Sequence, residues 1–231
     1  MKLYAGIDLH SNNSVVSVLD EQDRIIAERR MPNDLNTITE LLNPYADALE
    51  GIVVESTFNW YWLVDGLMDA DFTVHLANTS AIRQYEGLKH TDDRYDARWL
   101  AHILRLGLLP KGYIYPKEQR AVRDLLRKRS QLVQQRTSNL LSIQNLIARE
   151  FGRQMNGNEI KKLANDPDPR WPLDTPFGLA VSAHLSVMRT LDEQITHIEK
   201  AVLEKCRLSK EYTALLSVPG IGKILGLTIM L

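Results

Sequence analysis

Leu3-Tyr4-Ala5-Gly6-Ile7-Asp8-Leu9 opens the chain, and Ser14-Val15-Val16-Ser17-Val18-Leu19 and Arg24-Ile25-Ile26-Ala27-Glu28-Arg29-Arg30 follow it closely. All three runs are short and carry β-branched or other apolar residues, and turn-prone Ser11-Asn12-Asn13 and Glu21-Gln22-Asp23 separate them. Such runs read as strands and such separators as tight turns, so the first 30 residues predict a β-meander. Working outward, Pro32, Asn33 and Asp34 mark the entry to a helix over residues 36–49, ahead of a buried strand Gly51-Ile52-Val53-Val54-Glu55. A helix over residues 59–68, a buried strand over 72–76 and a helix over 93–106 come next. Three strands, then helices alternating with two more strands, predict an α/β region built on a mixed five-stranded sheet flanked by helices.

The second half reads as all-α. Neither Pro nor Gly interrupts residues 117–151, and Leu126, Val133, Leu140 and Ile147 fall seven apart, with Leu125, Leu132 and Leu146 beside them. A second long helix over residues 177–206 sets Val181, Met188, Ile195 and Val202 in the same sevens, with Leu191 and Ile198 at the companion position. Asp166-Pro167-Asp168-Pro169 and Trp171-Pro172 make the insert between them a loop. The two helices can fold back as an antiparallel coiled-coil arm or pair across a homo-oligomer, since both options bury one seam. Beyond them, Pro219-Gly220-Ile221-Gly222 is a turn between two apolar helical pieces, and the chain stops at Met230-Leu231 inside an apolar stretch. An end of that kind reads as the cut edge of something longer. The layout expected is therefore 1–112, an α/β domain; 113–207, a helical arm; and 208–231, the start of a further helical domain.

Composition sets the outer limits. With 44% hydrophobic and 25% charged residues, 231 residues bury a sizeable core. The single cysteine, Cys206, excludes an internal disulfide and any cysteine-built zinc cluster. A carboxylate at position 8 comes too early for a signal peptide, and no apolar run reaches the ~18 residues of a membrane span, so a cytoplasmic protein with no membrane partner is expected. The net charge of −1 conceals an asymmetry. Residues 1–116 hold 10 Lys/Arg against 17 Asp/Glu, whereas residues 117–153 hold 9 against 3. An acidic head that wants cations thus precedes a basic stretch that wants a polyanion.

Asp8 and Glu55 each end an apolar strand, which carries both carboxylates to the rim of the sheet. Asp93 and Asp96 lie three apart at the start of a predicted helix, on one face and roughly 5 to 6 Å apart at Cβ. Taken singly, each also reads as a loop or helix-start residue, with Thr91 or Asp92 as N-cap. Taken together, four carboxylates on one edge repel unless divalent cations lie between them, and oxygen ligands of this kind select Mg2+ or Mn2+. Ions so placed activate a water or hydroxyl and stabilise the leaving oxygen in phosphodiester displacement. His10 is close enough to Asp8 in sequence to assist.

A Gly-Ile-Asp strand, a Val-Glu-Ser strand end and Thr91-Asp92-Asp93-Arg94-Tyr95-Asp96-Ala97-Arg98 followed by Leu100-Ala101 resemble the DEDD-type insertion-sequence transposases. These are the RNA-guided bridge recombinases, related to the pilin-gene invertase. The resemblance extends into Leu216-Ser217-Val218-Pro219-Gly220-Ile221-Gly222, which looks like the opening of the family's second domain. It implies an RNase H/RuvC-like first domain whose metal-binding DEDD carboxylates would be Asp8, Glu55, Asp93 and Asp96, with Asp92 as a cap. It further implies DNA strand cleavage and exchange, donor and target DNA, and a structured guide RNA as partners. The family's nucleophilic serine lies in the second domain, and neither Ser209 nor Ser217 inherits its place.

Arg120, Arg123, Arg127, Lys128 and Arg129, with Arg136 further along, predict a nucleic-acid-binding helix, and Arg120, Arg123 and Arg127 form a stripe suited to successive phosphates. A solvated helical flank is the plainer reading of the same residues. Gly220, Gly222 and Lys223 resemble a helix-hairpin-helix turn, whose backbone N–H groups approach a phosphate. Trp60, Tyr61 and Trp62 are of a type that stacks on bases, but on an amphipathic helix beside the sheet they read as core. Three other functions remain open on sequence: a stand-alone structure-specific nuclease, a silent truncated nucleic-acid-binding product, and an actin-like ATPase, whose fold also opens on Gly-Ile-Asp.

Overall fold

The meander forms as the turn residues dictate, from β1 (Leu3–Leu9), β2 (Asn13–Asp20) and β3 (Ile25–Pro32). The computed structural model describes residues 1–82, 92–165, 174–205 and 210–230, in two compact units, Met1–Ile114 and Tyr115–Leu231. Thr91, Cys206, Ser209 and the 166–172 insert lie outside the described residues. In the first unit α1 (Leu35–Leu42) leads to β4 (Leu49–Glu55), α2 (Tyr61–Asp69), β5 (Val74–Ala77), α3 (Asp93–Arg105) and β6 (Lys111–Gly112). The strands lie in the order β3-β2-β1-β4-β5-β6, with β1, β4 and β5 parallel and the rest antiparallel.

The sheet thus has six strands, not the five expected. The sixth is two residues long and pairs with Leu76 and Ala77, too short to show any periodicity. The helix expected over residues 36–49 also divides, because Pro44 opens a 3-10 segment, Asn43–Ala48, after α1.

Strand alternation sorts the sheet's two faces. Leu3, Ala5, Ile7 and Leu9 of β1 join Val16, Val18, Ile52 and Val54 in a core under α1 and α2, where Ile38, Leu42, Leu63 and Leu67 are fully buried. The alternate residues, Gly6, Asp8, Val53 and Glu55, belong to the face that α3 covers. Gly6 is where helix and sheet come closest: a Cβ there would lie 2.0 Å from the Ala97 carbonyl oxygen and 2.7 Å from the Ala101 nitrogen. Ala97 and Ala101 are themselves fully buried. Small residues on both surfaces let α3 lie directly on β1, and that contact fixes where its first turn ends up.

The second unit is helical. α4 (Lys117–Phe151) ends at Gly152 in the left-handed conformation (φ 66°), and α6 (Pro176–Lys205) runs antiparallel to it. The direction follows from the cross-links, since Arg129 meets Glu199, Arg136 meets Asp192 and Asn139 meets His184. The seam is filled within one chain: Ile143, Ile147, Val181, Leu185 and Met188 pack together, and Val122, Leu126 and Val202 form a second cluster with Tyr212 and Leu227. The stretch expected to be loop contains α5 (Gly157–Asn165), whose Ile160 is fully buried in the first of these clusters. Asn156 caps it, accepting from the Asn158 amide while its own amide donates to Glu159, a capping box. α7 (Lys210–Leu216) and α8 (Lys223–Met230) close the chain around the Pro-Gly-Ile-Gly turn, where Gly220 has φ 91°. No helix among the described residues is long and apolar enough to cross a membrane.

Candidate metal centre

Register brings the first pair of carboxylates together. β1 and β4 run parallel with Gly6 opposite Val53 and Ile7 opposite Val54, so the next step along the ladder is Asp8 beside Glu55. Helix α3 supplies the second pair. Its sheet-facing stripe reads Asp93, Asp96, Ala97, Leu100, Ala101, and the seat on Gly6 carries the acidic first turn over the ends of β1 and β4. Asp92 is the N-cap, accepting from the Arg94 amide at 3.1 Å.

The carboxyl groups act on one another's protonation. Burial pushes the Glu55 carboxyl up to about 8, and Asp8, within hydrogen-bonding reach, and the charge of Asp96 push the same way. Asp96 is raised by burial and by the charges of Asp8 and Asp93. Asp93 is lowered, chiefly because the Arg30 guanidinium donates to it and His10 stands beside it. His10 Nε2 lies 3.1 Å from Asp8 Oδ2 and 3.2 Å from Asp93 Oδ2. Despite those distances neither Asp8 Oδ2 nor His10 Nε2 makes an aligned hydrogen bond among the described residues, and both atoms are buried. Asp8, His10 and Asp93 bring ligand atoms within 4.8 Å of one another, and Glu55 and Asp96 feel the charge of Asp8 from beside that cluster.

A buried carboxylate oxygen without an aligned donor is a group that a bound water or cation can satisfy. Two like charges ~4 Å apart repel by about 4 kcal/mol at an effective dielectric near 20, so the cluster needs either protons or a metal. Carboxylate oxygens are ligands for hard divalent cations. A cavity of about 310 Å³ lined by Glu55, Thr79, Ile82, Asp96, Trp99 and Leu100 opens beside it.

Two loops brace the centre. The His10 carbonyl accepts from Asn33 Nδ2 at 2.9 Å and from Asn59 Nδ2 at 3.0 Å, and Ser14 and Thr57 hydrogen-bond the same two asparagines. Arg30 and the two asparagines escape a linear reading of the sequence. Arg30 reaches Asp93 because it pairs with Val15, which itself pairs with Asp8, a relation visible only by counting register across the meander.

The basic residues of α4 part company. Arg120 is buried, with Nε donating to the Tyr115 carbonyl, and Arg123 stacks over the Tyr115 ring at 4.2 Å. Arg129 and Arg136 pair with Glu199 and Asp192 on α6. Arg127 and Lys128 are exposed. Arg120, Arg123 and Arg127 therefore do not present one continuous cationic stripe. In the last turn, Gly222 has open space around it, and the Lys223 carbonyl accepts from the Tyr212 hydroxyl.

A mixed sheet whose strand ends carry Asp8 and Glu55 under an acidic helix start, with only Asp8 buried, defines a class, the proteins with a candidate cation-binding carboxylate cluster. Residues 5–151 match a family model described as a transposase, the DEDD type of the IS110 group, and the match takes in all four carboxylates. The chain belongs to this transposase family. It is also 26% identical over 228 residues to a Pseudomonas aeruginosa protein described as a probable family 20 transposase, an alignment that covers 95% of this chain. The chain spans 64% of that relative's length.

Proposed function

We propose that this chain carries the metal-dependent strand-cleaving centre of a DNA transposase, with Asp8, Glu55, Asp93 and Asp96 holding Mg2+ or Mn2+ on an RNase H/RuvC-like sheet. The observation that carries this reading is Asp8, buried with an unmatched oxygen in a cluster with His10 and Asp93 and acting on Glu55 and Asp96. Divalent cations bound there supply a Lewis acid for the phosphodiester and lower the pKa of the attacking water or hydroxyl. Glu55, whose pKa is raised, would have to be deprotonated to hold a cation. Arg30 holds the Asp93 carboxylate in place and offsets part of the negative charge that would otherwise repel a nucleic-acid backbone. Membership of the transposase family favours DNA as the substrate.

The partners follow at one remove. Arg127, Lys128 and the Gly220-Ile221-Gly222-Lys223 turn contact phosphates, either of DNA or of a guide RNA, and contribute affinity without sequence choice. The homo-oligomer expected through the helical arm loses its main argument, because the heptad seam closes within the chain. The test is incubation with Mg2+ and labelled branched DNA, comparing the chain with Asp8→Asn. Metal-dependent cutting that Asp8→Asn abolishes supports the reading. Cutting that persists in Asp8→Asn, or no interaction with DNA or divalent metal at all, overturns it.

A further inference from the structure

Phe58 is 85% exposed, more than any other large apolar side chain among the described residues. Single exposed apolar residues are ordinary on protein surfaces, so exposure alone says little. Its position says more. Phe58 follows Glu55 by three residues, a span of at most about 11 Å of extended chain. The chain between is bent rather than extended, since the Thr57 amide donates to the Glu55 carbonyl at 2.9 Å. Phe58 therefore stands at the rim of the carboxylate centre.

The loop that presents it is tied on both sides. Thr57 Oγ1 donates to Asn59 Oδ1 at 2.9 Å, Asn59 Nδ2 donates to the carbonyl of His10 at 3.0 Å, and Trp60 is buried in the core with its ring edge-on to Tyr61. The neighbours are spent on structure and the phenyl ring is left at the apex. A loop so braced holds the ring outward before any ligand arrives, which keeps the ordering cost of binding low. A flat apolar ring within one nucleotide's reach of a phosphodiester centre matches one chemical class, the face of a nucleobase, and every base has such a face.

We infer that Phe58 stacks on an unpaired nucleobase of the strand held at the carboxylate centre, and so selects DNA in which that base is free, as at a branch or mismatch. This assignment rests on the nucleic-acid reading above and adds to it a substrate geometry. Phe58 is a positioning residue, because it touches the substrate away from the reacting phosphate.

The experiment measures equilibrium binding of the 231-residue chain to a branched oligonucleotide in Ca2+, with an abasic nucleotide scanned through the branch. Wild type is expected to lose about tenfold at one scanned position. Phe58→Ala binds the intact branch about tenfold more weakly and no longer distinguishes the abasic form, while Phe58→Trp restores both affinity and discrimination. An exposed apex residue leaves folding untouched, which unchanged thermal unfolding of Phe58→Ala confirms. If Phe58→Ala matches wild type on the intact branch, or keeps the abasic penalty, the assignment is wrong and the nucleic-acid reading stands. If wild type binds no DNA, both fall together.

Discussion

Helix α3 is about 20 Å long by its residue count and has a cluster of acids at each end, and the two clusters behave oppositely. At its C-terminal end, Asp20 and Asp23 in the β2–β3 turn are saturated with donors. Asp20 accepts from the Gln22 and Arg24 amides and from Arg24 Nε, and Asp23 receives two bonds from Arg105 and lies 3.0 Å from His102 Nδ1. At its N-terminal end, Asp8, Glu55 and Asp96 act on one another with few donors among the described residues, and the Glu55 carboxyl is pushed up to about 8. The same residue type fastens a hairpin to a helix in one place and leaves an unmet demand for positive charge in the other. What separates the two ends is the supply of donors, not the number of acids.

The largest effect comes from removing what the two ends share. Gly6→Val places a branched side chain where even a Cβ is 2.0 Å from a backbone oxygen, so α3 must lift off β1. Overpacking of this kind costs on the order of 3 kcal/mol or more, and urea unfolding of the variant should show that loss together with loss of divalent-metal binding. If Gly6→Val folds and binds metal as wild type does, the seat of α3 is not what positions the acids.

Changing one end at a time sharpens the contrast. Asp8→Asn should reduce Mn2+ affinity roughly a hundredfold or more by titration calorimetry, while metal-free stability holds or rises because a repulsion is relieved. Asp23→Asn should do the reverse, costing about 1 kcal/mol of stability at this partly exposed site and leaving metal affinity unchanged. Equal losses of metal affinity in the two variants would erase the distinction.

The pH dependence differs in sign between the ends. The folded chain holds the Glu55 proton more tightly than the unfolded chain, so that group's contribution to metal-free stability declines as pH rises from 4.5 toward about 8. Asp96 acts in the same direction. Asp23 is lowered below its ordinary 3.8 by His102 and Arg105 against the opposing effect of burial, so its contribution is present above that value and disappears in acid. Metal affinity should climb over the Glu55 window as the proton leaves. Denaturation midpoints across pH, with and without Mn2+, measure all three.

Much of this was legible in the chain, for reasons tied to particular residues. α4 spans Lys117–Phe151, as the absence of Pro and Gly predicts, and the β-meander follows from its turn residues. α5 is marked by Asn156 and Glu159 at capping-box spacing, a local signal that the prolines following it mask. β6 carries no periodic signal in two residues. Asp8, Glu55, Asp93 and Asp96 stand out because strand ends and a helix start each impose a direction on them. Arg30, Asn33 and Asn59 do not, because their places arise from cross-strand register and from loops meeting at one carbonyl. The α4 arginines mislead for a related reason: helical spacing shows that residues share a face, but not that Arg129 and Arg136 meet acids of α6 there.

The central claim is that the unmatched end of α3 is a cation site, and crystals of the chain grown with Mn2+ near pH 8 test it through anomalous scattering. A peak roughly 2.0 to 2.6 Å from an Asp8 oxygen, shared with oxygens of Glu55, Asp93 or Asp96, is the predicted result. A map with no peak at that edge, or with Mn2+ gathered only around Asp20 and Asp23, would contradict it.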